Sequence, residues 1–286
     1  MRTALLDEFV DMTRAQATQR INEIAREAFL LLGTGQQVPP FSSRYPGFDL
    51  AEAYDVAAQV REMRAARGET AIGRKIGFTN RAVWGSYGIS GPIWNYLFDS
   101  TVNDLAATNN TFAVKGLPEA RIEPEIILHL ASAPHPDMSE DELLGCVDWI
   151  AHGFEIVYSV FPGWTFTAAD AVAAYGVHSA LLLGDKHSIS DQPGRWADQL
   201  SSFTVDLVCD DGISRHGHAT HVLGGPLKAL RFLVDELFRY PACEPLRPGE
   251  LVTTGTLTEA MPAVGGQMWS TRLSSIDLEG LRLHLR

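Results

Sequence analysis

Apolar residues recur near helical spacing over the first thirty positions. Phe9, Met12, Ile21, Ile24, Ala28 and Leu31 predict a helix from about Leu5 to Leu32. The Gly-, Pro- and Ser-rich stretch from Gly33 to Phe48 breaks that pattern and predicts a loop. A second helix is expected from Asp49, which with Glu52 fits an N-cap followed by an acid at N3, and Gly68 fits its end. "AIGRKIGFT", Ala71 to Thr79, has the pattern of a short strand. From Arg121 onward the pattern changes to strands, in "RIEPEIILHL", "FEIVYSVF", "HSALLLGD", "FTVDLVCDDG" and "LVTTGTLT". Two segments interrupt them with helical periodicity. In "SEDELLGCVDWIAHG", Ser139 and Glu142 form a capping-box signature ahead of Leu143, Val147 and Ile150. In "PLKALRFLVDELFRY", Leu227, Leu230, Val234 and Leu237 share one side. The closing "LSSIDLEGLRLHLR" reads as a hairpin turning at Glu279 and Gly280.

Helices first and a strand-rich body afterwards predict an α+β fold, not a regular βαβ alternation. The expected organisation is an N-terminal helical portion, 1–70, docked on a strand-rich core, 71–286, within one integrated domain. With 286 residues, 45% of them hydrophobic, the chain has material for a sizeable core. Lys and Arg total 23 against 35 Asp and Glu, so the net charge is 23 − 35 = −12. An acidic chain without a basic run is a poor nucleic-acid binder, because phosphate attraction supplies most of that affinity. An anionic small molecule at a local positive spot stays compatible with it. Cys146, Cys209 and Cys243 are widely spaced and form no C-x-x-C pair, as expected of buried thiols in a reducing compartment. The opening "MRTALLDEFVDMTR" has no long apolar run, and no segment has the length to span a bilayer, so a cytoplasmic protein without a membrane partner is expected.

The candidate chemistry begins in "RIEPEIILHL". Residues two apart on a strand share a face, so Glu123, Glu125 and His129 point one way and Ile126, Leu128 and Leu130 the other. An isolated acid pair of this kind is commonly the solvated face of an exposed strand. Three observations argue otherwise. The strand is apolar apart from these residues, and Pro124 restricts it to an edge or an opening position. A third acid, Glu155 in "HGFEIVYS", also stands among apolar residues. Unpaired acids are seldom fully buried, so three in apolar strands point to a shared counter-ion. Oxygen-only ligands select hard cations, Mg²⁺ first, with Mn²⁺ or Ca²⁺ as alternatives. Lys75 in "GRKIGFTN" reads either as a surface lysine on an edge strand or as a cation facing an anionic substrate or a developing enolate.

Other patterns carry less. His216, His218 and His221 in "HGHATH" lack cysteine partners and i, i+4 spacing, and fit a hairpin with an exposed polar strand. Trp164 and Phe166 in "FPGWTF" read as packing, or as a lid over an apolar tail. "LLGTGQQ" follows no strand, which excludes a phosphate-cradling loop.

The ordered set "GRKIGFTN", "IEPEI", "GFEIV" and "VTTGTLT", with "GGPLKALRFLVDEL" ahead of the last, resembles the fumarylacetoacetate hydrolase superfamily. The branch it resembles is that of 2-keto-4-pentenoate hydratases and 4-oxalocrotonate decarboxylases, over most of the chain. The resemblance implies a strand-rich mixed β-roll core carrying a divalent metal, and a homo-oligomer. Glu123, Glu125 and Glu155 match the family's metal carboxylates, and Lys75 its active-site lysine. Thr254, Gly255 and Thr256 match a segment that borders the substrate carboxylate. The implied activity is that of a metal-dependent lyase, hydratase or decarboxylase, on a 2-oxo or 2-hydroxy-dienoic acid in aromatic-compound catabolism. Alternatives are a C–C bond hydrolase of an acylpyruvate or β-diketone, and a non-catalytic homologue or partner subunit associated with a related pathway enzyme.

The chain departs from the hydratase pattern at three places. Ile93 stands where hydratases carry an acid after the Pro, and Tyr158 where an Asp is frequent. "AAYGVHSALLLG" lacks their Asp-Asn pair. Hydration, as distinct from the metal and 2-oxo-acid chemistry, is therefore left open. A general acid or base has to come from elsewhere, with His129, His152 and His178 as candidates. His129 shares the acids' parity, though strand rise places it about 13 Å from Glu125.

Overall fold

A computed structural model describes residues 2–81, 84–87, 89–240 and 243–286, with the side chains of 2–15 and Ser86 outside that description. Helix α1 (Arg2–Leu31) turns Ile21, Ile24, Ala25, Ala28 and Leu31 inward, while the expected Phe9 and Met12 lie outside the described side chains. The stretch read as a loop contains one short helix, α2 (Phe41–Arg44), which inserts Phe41 edge-on against Phe161 at 5.4 Å. Helix α3 (Leu50–Ala66) starts where the sequence places it. The Asp49 side chain accepts the Glu52 N–H at 3.0 Å, and Gly68 follows the helix end at φ +95°. Its Tyr54 ring stacks on Trp94 at 4.9 Å. One hydrophobic cluster joins these helices to the rest of the chain, running from Ile21 to Leu278. Among the described residues no helix is long and apolar enough to cross a membrane.

The strands are β1 (Ala71–Gly77), which the short helix α4 (Trp84–Tyr87) follows, β2 (Ile93–Phe98), β3 (Val102–Asp104), β4 (Thr111–Phe112), β5 (Arg121–Leu130), β6 (Val147–Val157) and β7 (His178–Ser188). They continue as β8 (Thr204–Cys209), β9 (Ser214–His218), β10 (Leu251–Thr253), β11 (Met261–Pro262), β12 (Met268–Ser274) and β13 (Arg282–Leu285). A mixed eight-stranded sheet runs β2-β1-β10-β5-β6-β7-β3, with β11 also pairing β5, and a second sheet runs β4-β13-β12-β8-β9. Leu97, Leu251, Ile127, Ala151 and Leu181 come from five different strands of the first sheet yet pack in one cluster. Side chains on one face of a sheet meet across non-adjacent strands only if the sheet curls, so this is a roll. Ile122, Phe154 and Leu182 pack against Leu207, Trp269 and Leu283 of the second sheet. The fold is α+β, as the sequence pattern predicts, with the curled β-roll core that the family resemblance implies.

Three local readings change. The capping box at Ser139 and Glu142 is present, but its helix, α5 (Glu140–Leu144), ends at Gly145, and Val147 and Ile150 belong to strand β6 instead. Val147, Trp149, Ile150 and Phe154 are β-branched or aromatic and suit a strand, and tertiary pairing with β5 decides the matter. Two further helices, α6 (Ala168–Ala173) and α7 (Pro193–Ser202), lack the long periodic stripe that marks α8 (Pro226–Arg239). Pro124 sits inside β5, not at an edge or an opening. Its carbonyl accepts from Leu257 N–H on the side where β10 has ended and β11 has not begun. The missing proline N–H faces that break in the ladder, so no strand-to-strand bond is lost.

Candidate functional site

The β5–β6 register sets Glu123 directly opposite Glu155, and Glu125 opposite Gly153. Opposed side chains on an antiparallel pair share a face with Cβ atoms about 5 Å apart. Gly153 is required there, because a Cβ would lie 2.7 Å from Ile127 Cδ1 and 2.8 Å from the Leu182 carbonyl oxygen. One carboxylate oxygen from each of Glu123, Glu125 and Glu155 falls within 4.8 Å of the others. Glu125 and Glu155 are fully buried, and Glu123 is partly exposed to a cavity.

Three donors hold the acids from outside the cluster. Lys75, 3% exposed, brings Nζ to 3.3 Å from Glu155 Oε1 and donates to the Gly176 carbonyl at 3.1 Å. His178 Nδ1 lies 2.7 Å from the same Glu155 oxygen. A carboxylate only accepts, so that nitrogen is the donor. Gly255 N–H donates to Glu125 Oε2 at 2.9 Å, from a backbone at φ +97° that only glycine adopts freely. Glu125 Oε1 and Glu155 Oε2 are then buried without a hydrogen-bond partner.

The electrostatics follow from this packing. Burial pushes the Glu125 carboxyl well above the usual range, with Glu155 and Glu123 adding to the rise. Burial lifts Glu123 to about 7, with Lys75 opposing and Glu155 reinforcing. Glu155 goes the other way, to about 2, because Lys75 and His178 outweigh its burial. Burial also works against the Lys75 charge, but the three carboxylates overcome it and raise its pKa. Burial keeps His178 below its ordinary value despite Glu155. Three acids and one lysine carry a formal −3 + 1 = −2. Two unpartnered buried oxygens, a third at the cavity wall and two excess negative charges fit a hard divalent cation.

The cavity above them measures about 380 Å³. Lys75 and Glu123 form its floor, Phe78, Tyr87, Ile93 and Phe166 its middle, and Arg121 and Trp164 its outer end. Ile93 is 2% exposed, and both its side chain and Lys75 Nζ lie within 4 Å of where a Gly77 Cβ would stand. A wider depression of about 610 Å³ adjoins it at Arg121 and Trp164, but none of the clustered acids line it, so the chemistry belongs to the smaller cavity.

The structure brings together Lys75, Glu123, Glu125 and Glu155, with Gly255 on Glu125 and Thr256 lining the cavity. Thr254 faces away, its hydroxyl donating to the Ile126 carbonyl at 3.0 Å. His129 is not part of the site. Its Nδ1 lies 2.5 Å from Asp148 Oδ1, its ring stacks on Trp149 at 4.6 Å, and Ile127 stands between it and Glu125 on the shared face. Parity was right and distance decides. His152 ties β6 to β5 through Glu125 O and to β12 through Thr271 Oγ1, both at 2.9 Å, and burial holds it down to about 4. Tyr158 is buried against Tyr175, away from the cavity lining. Sequence reasoning did not single out Arg121, Thr79 or Tyr87. Arg121 alone carried a signal, since it shares the parity of Glu123.

No family model matches the chain. Curated relatives do. It is 26% identical over 249 residues to 2-hydroxyhexa-2,4-dienoate hydratase of Comamonas testosteroni, covering 87% of this chain and 89% of that one. It is 28% identical over 243 residues to 2-keto-4-pentenoate hydratase of Paraburkholderia phymatum, covering 83% and 87%. Its fold superposes on 4-oxalocrotonate decarboxylase from Pseudomonas putida G7, complexed with magnesium and adipate, at a TM-score of 0.82 and 21% identity over 96% of this chain and 98% of that one. The roll is the fold of the fumarylacetoacetate hydrolase type. In sequence the chain is similar to 2-keto-4-pentenoate hydratases, and in fold to 4-oxalocrotonate decarboxylase.

Proposed function

We propose that this chain is a divalent-metal-dependent lyase acting on a 2-oxo or 2-hydroxy-dienoic acid, of the hydratase or decarboxylase type, in the cytoplasmic breakdown of aromatic compounds. The observation that carries this is the convergence of Glu123, Glu125 and Glu155 beside Lys75, with one buried oxygen of Glu125 and one of Glu155 unpartnered. These three acids hold Mg²⁺, with Mn²⁺ or Ca²⁺ as substitutes. When bound, the cation supplies positive charge beside the oxygens of a 2-oxo acid, which favours its enolate.

The chain's own residues do the rest. Lys75 keeps a second positive charge at the cavity floor, held in direction by Glu155 and the Gly176 carbonyl. The Thr256 edge borders the acid end of the substrate, and Phe78, Ile93 and Phe166 keep water from its hydrocarbon part. His178 orients Glu155 and does not reach the cavity, because its other nitrogen is engaged by Thr101 Oγ1 at 3.0 Å. Among the described residues no histidine lines the cavity. That disfavours the C–C hydrolase reading, which calls for a His–acid pair over the substrate. Homo-oligomerisation, and association with a related pathway enzyme, belong to the same reading and are tested by light scattering.

The deciding experiment incubates the protein with Mg²⁺ and a 2-hydroxydienoate or its oxo tautomer, and follows the conjugated chromophore and CO₂ together. Chromophore loss with CO₂ identifies a decarboxylase, and loss without CO₂ a hydratase. Metal binding without turnover of any 2-oxo acid sinks the lyase reading in favour of a non-catalytic homologue.

A further inference from the structure

One side wall of the cavity above the acids is also the wall of another cavity. A second space of about 290 Å³ adjoins it at Tyr87, the last residue of α4, and Tyr87 lines both. At two further places the chain passes from one cavity to the other within a single residue. Pro92 lines the second cavity and Ile93 the first. Phe166 lines the first and Thr167, which caps α6, the second. At Tyr87 the partition between the two spaces is therefore one side chain thick.

Ring contacts hold that side chain in place. The Tyr87 ring stacks on Phe78 at 4.4 Å and meets Phe166 at 5.8 Å, and both of those rings line the first cavity. Phe78 holds φ +56°, in the left-handed region that a residue with a Cβ seldom adopts. Its carbonyl accepts from the Trp84 indole N–H at 2.7 Å, which ties the end of β1 to α4. Among the described residues the Tyr87 hydroxyl has no hydrogen-bond partner, so the ring alone sets the position. Behind it Phe48, Leu50, Ile89 and Ala169 give the second cavity an apolar wall. Glu236 and Arg239, its charged residues, are paired with each other.

We infer that Tyr87 is the specificity-determining residue for tail length: it stops the hydrocarbon tail of a 2-oxo acid at the partition, and a smaller residue there opens the second cavity to longer tails. This rests on the metal-site reading for the anchored end of the ligand. From that end, beside Lys75 and Glu123, each methylene buried between Phe78, Ile93 and Phe166 gains about fourfold in affinity. A tail that has reached Tyr87 meets a ring packed on two others, so a further methylene has to displace the ring or turn back, and the gain ends. A tail that ran outward past Trp164 would meet no such stop.

The test titrates straight-chain 2-oxo acids, from 2-oxobutanoate to 2-oxodecanoate, calorimetrically in the presence of Mg²⁺. Each affinity is read relative to that of 2-oxobutanoate for the same variant, so a uniform loss cancels. The wild type should gain about fourfold per methylene and then stop at one length within the series. Tyr87→Ala should carry the gain on by two methylenes or more, about 15-fold for the longer acids. Tyr87→Phe, which keeps the ring, should keep the break. Adding Ala169→Leu to Tyr87→Ala refills the second cavity and should restore it. Tyr87→Leu keeps an apolar side chain against Phe78 and Phe166, should extend the series by less, and decides the matter, alone and with Ala169→Leu, where Tyr87→Ala does not fold. A wild-type series without a break, a break that stays in place when the ring is removed, or an extension that survives Ala169→Leu overturns the inference. Failure of the wild type to bind any of these acids with Mg²⁺ present instead refutes the metal-site reading, and the inference falls with it.

Discussion

Replacing Lys75 with Met separates the charge balance of the site from its shape. The side chains are similar in length, and the variant removes one positive charge from a position only 3% exposed. With all three acids ionised, as metal ligation requires, the cluster goes from −3 + 1 = −2 to −3 without the lysine. Removing one partner of a buried pair costs about 3–5 kcal/mol, because the other charge is left without compensation. The Lys75–Glu155 contact, at 3.3 Å with Glu155 fully buried, belongs to that class. Metal-free Lys75→Met should therefore unfold at lower urea, by about 3–5 kcal/mol. A divalent cation changes the balance to −3 + 2 = −1, so Mg²⁺ should bind the variant more tightly than the wild type. The stability gap should then narrow as Mg²⁺ is titrated, in step with RT ln(1 + [Mg²⁺]/Kd). Urea denaturation with and without Mg²⁺, together with calorimetric titration of the metal, measures both quantities. Weaker Mg²⁺ binding by the variant, or a gap that ignores Mg²⁺, refutes the claim that lysine and metal answer to the same three carboxylates.

Three more outcomes follow from particular contacts. Glu125→Gln keeps an acceptor for Gly255 N–H but removes a ligand charge, so Mg²⁺ affinity by calorimetry should fall more than about 100-fold, while metal-free stability in urea rises because the burial cost of the carboxyl, and with it the repulsion from Glu155 and Glu123, is removed. Gly255→Ala forces φ +97° on an L-residue and sets its Cβ 2.3 Å from Thr79 Oγ1. It should cost about 1–3 kcal/mol from the backbone alone in urea denaturation, and adding Thr79→Ala should recover only the steric part. Burial opposes ionisation of Glu69, but Arg64, Ser100 and Arg67 outweigh it and hold the carboxyl down to about 2. Its folded-state pKa lies below the unfolded one, so its contribution is complete above about pH 4.5 and fades as pH falls toward 2, worth about 1–2 kcal/mol after solvent screening. Urea midpoints at pH 7 and pH 3 should therefore fall further for the wild type than for Glu69→Gln.

The acids of the site were legible because they interrupt apolar strands, and Lys75 because its segment stands in a family-like order. Their convergence was not legible. It depends on Glu123 facing Glu155 across β5 and β6, and the sequence pattern assigned the beginning of β6 to a helix. A capping box and apolar residues three and four apart fit both structures, and only the pairing with β5 separates them. His129 shows the opposite case. Parity correctly gave its face, but the face continues past the site, and the Ile127 cluster closes the roll before His129 is reached. The role of His178 depends on a contact between β7 and β6 that no local pattern encodes.

The way the protein divides the carboxylate oxygens explains why such a cluster folds at all. Three ionised acids in a dry interior repel strongly, and each desolvated charge is costly. Glu155 gives Oε1 to Lys75 and His178 together, and Glu125 gives Oε2 to Gly255 N–H. Each buried acid is thus oriented by one oxygen and presents the other to the cluster. The orienting contacts come from three separate strands or loops, so no rotation of a single side chain brings both free oxygens back to protein donors. With Lys75 left charged, the site falls two charges short of neutrality. A monovalent ion would leave one negative charge and a trivalent ion one positive charge, each buried. A divalent ion leaves neither, so on the proposed metal-site reading the count of acids and lysine favours an ion of charge two.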